Sequence, residues 1–576
     1  MSLLDKASLI VTPNAYKESK LYSVVPNTTL GDMDVVRATT ATRVNSAGLI
    51  EVVPRNLLAY SNDLTNGIWT KTNTTITLNT IANPLNGLVN GQTFTPNTTN
   101  ADHFAFGSGI TVAGQPYIMS FFVKANGYTN CRLGNAATGA GIWFNLSNGT
   151  IISGTGGAIT ALSNGWYLVS YSLTSVGTSV NPLISFAPST STNFAGNGTS
   201  GGYVFGAQLD QGSTATEYFP TTTRLNIPRI DYTNGSCPSI LVEPQRTNLL
   251  LQSNNFNTTW TKSDVTINAN AAISPDGSLN AFENIEGTGT STKLILQSVT
   301  VSSGAKIAVY FFVKKKNKKY IQIRDNPSTS SFVFNFDTAL AEDILGSCIP
   351  FIENYGNGWY KVGMTATASL TTSQIRLYHC DNSKNIVYTG DGVSGFYLWG
   401  SQLEQGSYAT SYVPTVATTV TRNADVISKT GISSLIGQTE GTVFVDINVD
   451  LSYTQNDMKF INISDGTSTN WWFIGTNVSN QIRFYYKTGA TTYVSQLVTL
   501  TSGRHKLAFA YKSNDYVAYV DGTQIYSLTS LVVGATSQID LGNGFGGGNI
   551  SKQFINSAQL YKTRLTNTEL QSLTTL

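Results

Sequence analysis

Two stretches of this chain are near-copies of one another. They read RNLLAYSNDLTNGIWTKTNTTITLN at residues 55–79 and RTNLLLQSNNFNTTWTKSDVTINAN at residues 246–270, so that Trp69 corresponds to Trp260. Three further matching pairs follow in the same order, all offset by about 190 residues: YIMSFFVKANGY with IAVYFFVKKKNKK, SNGWYLVSYSLT with GNGWYKVGMTATA, and GGYVFGAQLDQGSTATEYFPTTTR with SGFYLWGSQLEQGSYATSYVPTVAT. An ordered match over so long a span indicates one domain that is used twice.

The segment that precedes each copy also recurs. TRVNSAGLIEVVPRNLL begins at Thr42, PRIDYTNGSCPSILVEPQRTNLL begins at Pro228, and a shorter form, TRNADVISKTG, begins at Thr421. Glycine, asparagine or proline interrupts each of them. The pattern predicts extended linkers rather than folded domains.

Short apolar runs separated by turn residues fill each copy. In YIMSFFVKA (117–125), the residues of both strand faces are largely apolar, which is typical of a central strand in a sandwich. The clusters NG, GNG and SNG recur between such runs, as in antiparallel sheets. No convincing amphipathic helix longer than about two turns precedes the C-terminus. The sequence therefore predicts an all-β fold built of two-sheet sandwiches.

Composition argues against several classes of protein. Charged residues make up 12% of the chain, and 35 Lys and Arg against 33 Asp and Glu give a formal net charge of +2, so nothing favours a nucleic-acid partner. No run approaches the roughly 18 apolar residues of a membrane span, and the start MSLLDKASLI lacks the pattern of a signal peptide. Four cysteines do not make a disulfide framework, and we expect buried free thiols even at Cys348 and Cys380, which could pair.

The repeated segments resemble a known kind of domain. The pattern NLLxxSNxFxxxxWTK, YxxSFFVKA, NGWYxV and GxYxWGAQLExGxxATxYxPTxxxxxTR is similar to the jelly-roll sandwich of carbohydrate-binding modules, in the form found in phage tail proteins. Both copies fit it, although the first has Phe205 and Asp210 where the second has Trp399 and Glu404. The N-terminal segment LIVTPNAYKESKLYSVVP, followed by GDMDVVRATTATRVNSAGLIEVVPRNLL, is similar to the start of many phage fibre-like proteins.

A different pattern begins at about Gly431. GTVFVDINVD, NQIRFYYKTG, LTSGRHKLAFAYKSNDYVAYVDGTQIYS and QFINSAQLYKTRLTNTELQSL resemble the concanavalin A-like, laminin G-like sandwich. His505 stands where that family often has Trp-His, and a hairpin turn of the family falls on Asp521. Thr566 and Glu569 have the spacing of a capping box for a short closing helix.

Together these patterns predict tandem jelly-roll β-sandwiches followed by a concanavalin A-like β-sandwich. The predicted parts are an N-terminal virion-attachment or oligomerisation segment (1–55), copy 1 (56–227), a linker (228–245), copy 2 (246–415), a second linker (416–430) and the C-terminal sandwich (431–576). The N-terminal segment has little core of its own. We therefore expect Leu9, Ile10 and Val11 to complete a partner's sheet or to pack in a homo-oligomer.

The C-terminal sandwich carries the candidate ligand-binding residues: Trp471, Trp472, Asn543 and Phe545. Adjacent residues of a strand face opposite ways, so at most one of the two tryptophans belongs to the core if the other face meets solvent. Asn543 and Phe545 lie in the Gly-rich stretch GNGFGGGN, and such loops at the tip of a rigid sandwich commonly bind ligands. The tryptophans that the two copies share are predicted to be core residues: Trp69, Trp166, Trp260 and Trp359.

Nothing in the sequence favours catalysis, a metal or a cofactor. The three histidines fall in three different predicted domains, and none lies beside a nucleophile motif. Asp276 with Glu283, or Glu342 with Asp343, could supply the paired carboxylates of a depolymerase, but nothing distinguishes them from ordinary surface residues. We expect no catalytic, cofactor-binding or metal-binding residue.

The resemblances imply a structural fibre or appendage protein of a tailed phage, either a tail fibre or a head fibre. Such a protein is assembled in the host cytoplasm, resides in the virion, and presents a glycan- or host-surface-binding domain. The implied partners are other virion proteins, further copies of the chain in a trimer, and a host surface glycan, without nucleic acid or membrane insertion. Two alternatives stay open: a surface or secreted array of polysaccharide-binding modules, and a polysaccharide depolymerase.

Overall fold

The computed structural model describes residues 2–53, 56–110, 116–177, 179–212, 215–326, 328–450, 458–477, 479, 481–548 and 550–576. The chain divides into two compact units. The small unit is Pro54–Leu225, and the large unit combines Met1–Val53 with Asn226–Leu576. Nearly all of the regular structure is β-strand, as the sequence predicts. Within the described ranges, no helix has both the length and the apolar character needed to span a bilayer.

The N-terminal arm, residues 2–53, consists of a one-turn helix and five strands. The helix α1 (Leu3–Lys6) is capped by Ser2 and Asp5. The strands are β1 (Ala7–Lys17), β2 (Lys20–Val25), β3 (Met33–Val36), β4 (Ala41–Val44) and β5 (Ile50–Val53). β1, β2 and β3 pair in this order, and β4 and β5 form a separate hairpin.

The small unit contains the first copy of the duplicated domain. Its strands are β6 (Thr70–Thr72), β7 (Thr74–Ala82), β8 (Val89–Pro96), β9 (Asn100–Asp102), β10 (Phe104–Phe106), β11 (Gly109–Ile110), β12 (Pro116–Asn126), β13 (Asn130–Asn135), β14 (Gly141–Asn145), β15 (Thr150–Ser153), β16 (Gly157–Ala161), β17 (Tyr167–Thr174), β18 (Ser179–Val180), β19 (Pro182–Ala187), β20 (Asn193–Ala195) and β21 (Gly201–Gln211), with a 3-10 turn at Ser163–Gly165.

Two six-stranded antiparallel sheets enclose the core of this copy. Their strand orders are β15-β14-β13-β19-β10-β6 and β16-β17-β12-β21-β8-β7. Phe121 and Val123 of β12 face the core between the sheets, and Phe122 packs on the opposite face with Trp166 and Phe205. β12 is therefore apolar on both faces because each face is covered.

The second copy lies in the large unit. The strands of the preceding linker are β22 (Ile230–Asp231) and β23 (Ser239–Val242), and β24 (Arg246–Asn248) opens the copy. Those that follow in the copy are β25 (Thr261–Ser263), β26 (Val265–Ile273), β27 (Leu279–Glu286), β28 (Thr290–Thr292), β29 (Leu294–Thr300), β30 (Lys306–Lys315), β31 (Tyr320–Asn326), β32 (Ser331–Asn335), β33 (Leu340–Leu345), β34 (Ile349–Asn354), β35 (Trp359–Thr367), β36 (Thr372–His379), β37 (Val387–Thr389) and β38 (Gly395–Gln405).

The two copies have the same topology. The sheets of the second copy run β33-β32-β31-β36-β29-β25 and β34-β35-β30-β38-β27-β26, which matches the first copy strand for strand. The predicted jelly-roll duplication is therefore confirmed. The shared tryptophans are all buried, as expected for core residues: Trp69, Trp166, Trp260 and Trp359.

The C-terminal sandwich completes the large unit. The second linker contributes β39 (Val420–Arg422), which pairs with β24, and β40 (Val426–Thr430), which pairs with the sandwich strand β49. The strands of the sandwich itself are β41 (Glu440–Val449), β42 (Lys459–Ser464), β43 (Trp471–Thr476), β44 (Ile482–Thr488), β45 (Thr491–Val498), β46 (Gly503–Lys512), β47 (Asp515–Val520), β48 (Thr523–Leu528), β49 (Gln538–Leu541) and β50 (Gln553–Tyr561), with a 3-10 turn at Phe545–Gly547. The closing helix α2 (Asn567–Thr574) has the predicted capping box of Thr566 and Glu569.

The strands of this sandwich form one continuous path with β40 and with β1, β2 and β3 of the arm. The order is β45-β44-β43-β42-β49-β40-β3-β2-β1-β50-β41-β46-β47-β48, and β23 also pairs with β50. Strands from both ends of the path contribute to a single hydrophobic core, as Ile461 and Phe509 show. The arm thus joins the two layers of the sandwich.

Strands of the arm pair within their own chain, where we expected them to pair with a partner. β1 pairs with β50 through Val11 and Ala558, and β3 pairs with β40 through Val35 and Ile427. Leu9 and Val11 are fully buried in the shared core. The expectation that these residues complete a partner's sheet is corrected, because the sheet that they complete belongs to their own chain. A sequence pattern does not show which strand edge, hundreds of residues away, is free to pair.

The arm and the two linkers meet in a buried cluster of charges. It consists of Arg37 from the arm, Arg229 and Glu243 from the first linker, and Arg422 and Asp425 from the second. Arg229 Nη1 and Arg422 Nη1 lie 2.7 Å and 2.8 Å from Glu243 Oε2. Arg37 Nη1 lies 2.8 Å from Asp425 Oδ1. Each side chain is at most 2% exposed, so these ion pairs act in a low-dielectric environment.

Three of the four cysteines are buried free thiols, as the sequence predicts. Cys348 and Cys380 are free and buried, and so is Cys131, whereas Cys237 is free and exposed. Burial raises the pKa of Cys348 to about 12 and that of Cys380 to about 12. The buried thiols therefore pack as small apolar side chains.

Candidate functional site

The candidate site lies on the outer face of four neighbouring strands in the C-terminal sandwich. β49, β42, β43 and β44 pair side by side and antiparallel. Successive side chains of β43 alternate between the two faces of the sheet. Trp472 and Ile474 enter the core, so Trp471 and Phe473 lie on the opposite, outer face.

Of the four candidate ligand-binding residues, two are buried and two are partly exposed. Trp472 is fully buried and stacks on Tyr486, with ring centroids 4.6 Å apart and planes 9° apart. Asn543 is also fully buried, and its amide donates to the carbonyl of Gly544 over 3.1 Å. Neither side chain can touch a ligand, so the prediction for these two is corrected. Trp472 is core because one of two adjacent strand residues must face inward, and Asn543 turns inward to satisfy backbone groups of its own loop.

Trp471 and Phe545 come together on the outer face with Tyr485. The ring centroid of Trp471 lies 5.4 Å from that of Phe545, with the planes at 88°, and 5.3 Å from that of Tyr485. Phe473 stacks against Tyr485 with centroids 4.9 Å apart and planes 20° apart. We call Trp471, Tyr485 and Phe545 the aromatic platform. All three rings are partly exposed, whereas Phe473 beneath them is buried.

A chain of buried polar side chains orients the central tryptophan. The indole N–H of Trp471 donates to Asn462 Oδ1, and Asn462 Nδ2 donates to Asp540 Oδ2 over 2.8 Å. Gln538 Nε2 donates to Asp540 Oδ1 over 2.9 Å. Asn462 and Asp540 are at most 1% exposed. Because every link uses a defined donor and acceptor, the relay fixes the plane of the indole.

Burial has an electrostatic consequence for this relay. Desolvation raises the pKa of Asp540, although the amides of Gln538 and Asn462 act in the opposite direction. Among the described residues, no cation forms a salt bridge with Asp540, so its charge is balanced only by amide dipoles. Asp540 is therefore a positioning residue that acts on Trp471 through Asn462.

Two cations lie against the rings. Lys459 Nζ is 4.1 Å from the ring centroid of Phe473, and Arg483 Cζ is 4.7 Å from that of Tyr485. These are cation–π distances, and they hold both rings in place. Lys459 is fully buried, while Arg483 is partly exposed and also donates to Ser495 Oγ over 3.1 Å.

Sequence reasoning missed several residues of this site, namely Asn462, Lys459, Arg483, Tyr485 and Asp540. Tyr485 could have been found, because it alternates with the buried residues Phe484 and Tyr486 in one strand. Asn462 and Asp540 are 78 positions apart and meet only through the pairing of β42 with β49. The last residue of the predicted Gly-rich loop, Asn549, lies outside the described residues.

The carboxylates that could have served a depolymerase form ion pairs or hydrogen bonds with nearby side chains. Glu283 pairs with Lys316, whose Nζ lies 2.6 Å away, and Glu342 pairs with Lys384 over 2.7 Å. Asp276 accepts from Ser274 Oγ over 2.6 Å in a turn of its own chain segment. Across the described ranges, no group of three or more His, Cys, Asp and Glu side chains is placed to hold a metal ion.

The comparisons with known proteins give no family. No protein-family model matches this chain, and no curated protein does. The chain is similar to the solved structure of the CBM40 domain of the Ruminococcus gnavus IT-sialidase, at 13% identity over 25% of this chain and 86% of that one, with a TM-score of 0.22. It is also similar to domain 4 of AbnA, a GH43 extracellular arabinanase from Geobacillus stearothermophilus, at 13% identity over 30% and 83% of the two chains, with a TM-score of 0.22.

A third similar structure is the receptor-binding domain of a botulinum neurotoxin C/D mosaic serotype. It shows 14% identity over 26% of this chain and 40% of that one, with a TM-score of 0.23. Identities and TM-scores this low assign no function to the chain. The case for a function therefore rests on its own residues.

Proposed function

We propose that this chain is a non-enzymatic fibre or appendage protein of a tailed phage, and that its C-terminal sandwich binds a glycan of the host surface. The observation that carries the binding part is the aromatic platform, in which a partly exposed tryptophan is held by the relay from Asp540 through Asn462. The virion part rests on the resemblance of the N-terminal segment and of the repeated domain to phage fibre-like proteins.

The platform suits a sugar for a physical reason. A pyranose ring has an apolar face of C–H groups, which packs on an aromatic face, and hydroxyls at its rim, which need donors and acceptors. Trp471 and Tyr485 offer ring surface, and the phenol of Tyr485 and the guanidinium of Arg483 offer polar groups beside it. Because the relay fixes the indole beforehand, little side-chain entropy is lost on binding.

The carboxylates that were considered for a depolymerase support the non-enzymatic proposal. A general acid and a general base need free carboxyl groups that face each other across a bound substrate. Glu283 and Glu342 are each neutralised by a lysine, and Asp276 closes a turn. A depolymerase assay on the polysaccharides that the protein binds tests this point, and release of oligosaccharides would contradict it.

The binding site can be tested with variants of the full chain. On an array of neutral bacterial polysaccharides, Trp471→Ala should weaken binding by roughly tenfold or more, as for other central aromatic anchors. Trp471→Phe is the matched control, because it keeps a ring in place, and it should retain most of the binding. Equal binding by Trp471→Ala and the wild type would refute the assignment of the site.

The virion assignment needs a separate test. We expect density for this chain on the outside of purified phage particles, in an electron-microscopy map or by labelling with an antibody against it. The main alternative, a surface or secreted array of polysaccharide-binding modules, predicts the chain on cells or in the medium and not on particles. If purified particles do not contain the chain, the fibre proposal is wrong, but the binding proposal is unaffected.

We also propose that the fibre is a homotrimer. The arm gives no support for a trimer, because its strands pair within the chain. The proposal rests on the low content of charged side chains, 12%. Long thin assemblies gain stability when chains bundle. Light scattering should give about three times the chain mass of 61.9 kDa at micromolar concentration, and a stable monomer would contradict it.

A further inference from the structure

Two arginines stand directly opposite each other on the second jelly roll. Arg324 of β31 and Arg376 of β36 are Cα partners in an antiparallel pair. Their strand neighbours Ile323, Ile375 and Leu377 are buried in the core of the copy. Both guanidinium groups therefore project from the outer face of the β33-β32-β31-β36-β29-β25 sheet.

This arrangement costs stability unless an anion offsets it. Like charges directly opposite on one sheet face repel each other. Arg376 donates to Gln374 Oε1 and, over 3.0 Å, to Tyr378 Oη, which are neutral. No carboxylate among the described residues forms a salt bridge with Arg376 or Arg324, and Arg324 Nε is buried without a hydrogen-bond acceptor. Gln322 Oε1, on the same face, is also buried and has no donor within the described part of the chain.

Open space lies on both sides of the pair. A cleft of about 590 Å³ is bounded by Arg324, Gln322, Ser331 and residues of the 384–387 loop. A second cleft of about 490 Å³ lies toward β25 and is bounded by Leu296 and Ser298. The arginines occupy one row across the whole sheet, in which the register pairs Thr261, Leu296, Arg376, Arg324, Ser331 and Leu345 in turn. Strands lie about 4.8 Å apart, so this row of six residues spans roughly 24 Å of the sheet.

The first jelly roll shows that the fold does not require this pair. The matched strands there are β13 and β19, and the matched positions are Gly134 and Leu183, which are also Cα partners. The same sheet thus forms with no charge at either position. A repulsive pair that only one of two duplicated domains carries is better explained by a ligand than by packing.

We propose that this face of the second jelly roll binds an anionic polysaccharide, with Arg324 and Arg376 gripping its carboxylate or sulfate groups. The planar guanidinium forks form paired hydrogen bonds with such groups. The hydroxyl of Ser298 and the amide of Gln322 line the two clefts beside them and bind sugar hydroxyls. The inference goes beyond the proposed function, because this site lies in another domain and does not involve Trp471.

The test measures binding of the full chain by titration calorimetry. The probes are polygalacturonate for carboxylates, heparin for sulfates and neutral dextran as the uncharged control. Arg376→Leu, which installs the residue of the first copy, and Arg324→Gln should each weaken binding of at least one anionic probe by roughly tenfold or more. The matched control is Arg132→Gln on the first jelly roll, which removes the same charge from the corresponding sheet and should leave binding unchanged.

A second readout separates a binding role from a structural one. Among the described residues, none accepts a hydrogen bond from the Arg324 side chain that Arg324→Gln would lose. Relief of repulsion should therefore raise the melting temperature of the unliganded protein slightly, by about 1–2 °C. The anionic probe should then stabilise the wild type more than the variant. A lower melting temperature for Arg324→Gln would show that the residue serves folding and would overturn the inference.

Three further results would also overturn it. One is equal binding of the anionic probes by the wild type and by both arginine variants. Another is binding of dextran as tight as that of the anionic probes. The third is loss of anionic binding in Trp471→Ala but not in Arg376→Leu, which would place that binding at the aromatic platform. If Trp471→Ala alone loses binding of neutral sugars while anionic binding persists, both sites are supported independently.

Discussion

The buried carboxylate of Glu243 connects the two linkers of this protein. Glu243 accepts from the guanidinium groups of Arg229 and Arg422 and, over 2.7 Å, from Ser411 Oγ. Burial by itself would raise the pKa of Glu243, but the charges of Arg422 and Arg229 outweigh that effect and hold it well below its ordinary value. The carboxylate therefore stays charged at neutral pH and offsets two arginines at once.

We expect Glu243→Gln to destabilise the large unit strongly. The amide keeps the shape of the side chain but leaves buried arginines without their counter-charge, which typically costs about 3–5 kcal/mol. Urea denaturation monitored by tryptophan fluorescence measures the loss. Asp343→Asn is the control, because Asp343 is 55% exposed and its ion pair with Lys384 is worth about 1 kcal/mol or less. Similar stabilities of the two variants would show that the cluster adds little.

A second residue-level difference lies in the cores of the two copies. In the first copy, Phe94 contacts Phe186 with ring centroids 5.3 Å apart, and Gly202 leaves room for that ring. A Cβ on Gly202 would lie only 2.1 Å from Phe186. In the second copy, Asn284 stands in the place of Phe94, His379 in that of Phe186 and Phe396 in that of Gly202. The larger Phe396 thus compensates for the smaller polar pair.

The buried pair of Asn284 and His379 should make the stability of the second copy sensitive to acid. Burial, together with the charges of Lys318 and Lys293, lowers the pKa of His379 to about 3. Between pH 6.5 and 3 the unfolded state binds one more proton there than the folded state. Stability contributed by neutral His379 is therefore present above about pH 6.5 and falls as pH decreases, on the order of 1.4 kcal/mol per pH unit.

The first copy supplies the variant that tests this. The combined change Asn284→Phe, His379→Phe and Phe396→Gly installs the core of copy 1, so its stability should not depend on pH through this site. Urea denaturation between pH 5 and 7 compares the variant with the wild type, because carboxylates contribute little to the slope in that range. Parallel pH profiles for the two proteins would contradict the role of His379.

At the level of elements, strands β1 to β3 of the N-terminal arm are part of the C-terminal sandwich. β1 and β3 fill the edges of β50 and β40, which would otherwise expose unpaired backbone groups. Val35 of β3 is 1% exposed, whereas its neighbour Val36 is 52% exposed, because successive strand residues face opposite ways. The two valines form a matched pair for measuring what the arm contributes.

We predict that Val35→Ala costs the large unit about 1.5–3 kcal/mol of unfolding free energy, through lost burial and the cavity that it leaves. Val36→Ala should change it by less than about 0.5 kcal/mol, since that side chain already meets solvent. Denaturant unfolding of both variants gives the two values. Equal, small effects would mean that the arm detaches without loss of the sandwich core.

At the level of the whole molecule, the chain should unfold in two steps. The small unit has its own core, which includes Trp69 and Phe121, and the large unit has others, which include Trp260 and Trp472. Compact units with separate cores open as separate cooperative units.

Matched tryptophans can assign the two steps. In differential scanning calorimetry, Trp69→Ala should lower one melting transition and Trp260→Ala the other, each by the equivalent of about 3–5 kcal/mol. The two residues hold corresponding positions, with exposures of 1% and 4%, so the changes are comparable. A single transition that both variants shift equally would show that the chain unfolds as one cooperative unit.

The sequence by itself determined the all-β class, the duplicated jelly roll and the closing helix. These features depend on local periodicity, turn residues and repeated motifs, all of which are read within a few residues of one another. It also indicated that one of Trp471 and Trp472 faces outward and could bind a ligand, since neighbouring strand residues cannot share a face. Alternation alone did not say which of the two is exposed.

Only the tertiary structure decided where the arm goes, which tryptophan faces outward and what holds it there. The sequence of Leu9 to Val11 predicts a strand but does not show which strand it pairs with. In the structure it pairs with β50, the last strand of the chain. Asn462 and Asp540 meet through strand pairing, and Arg324 faces Arg376 only because β31 lies beside β36. Such contacts join residues that are far apart in the chain. The free energy that selects them comes from burying a whole core and pairing every strand edge, which no local pattern records.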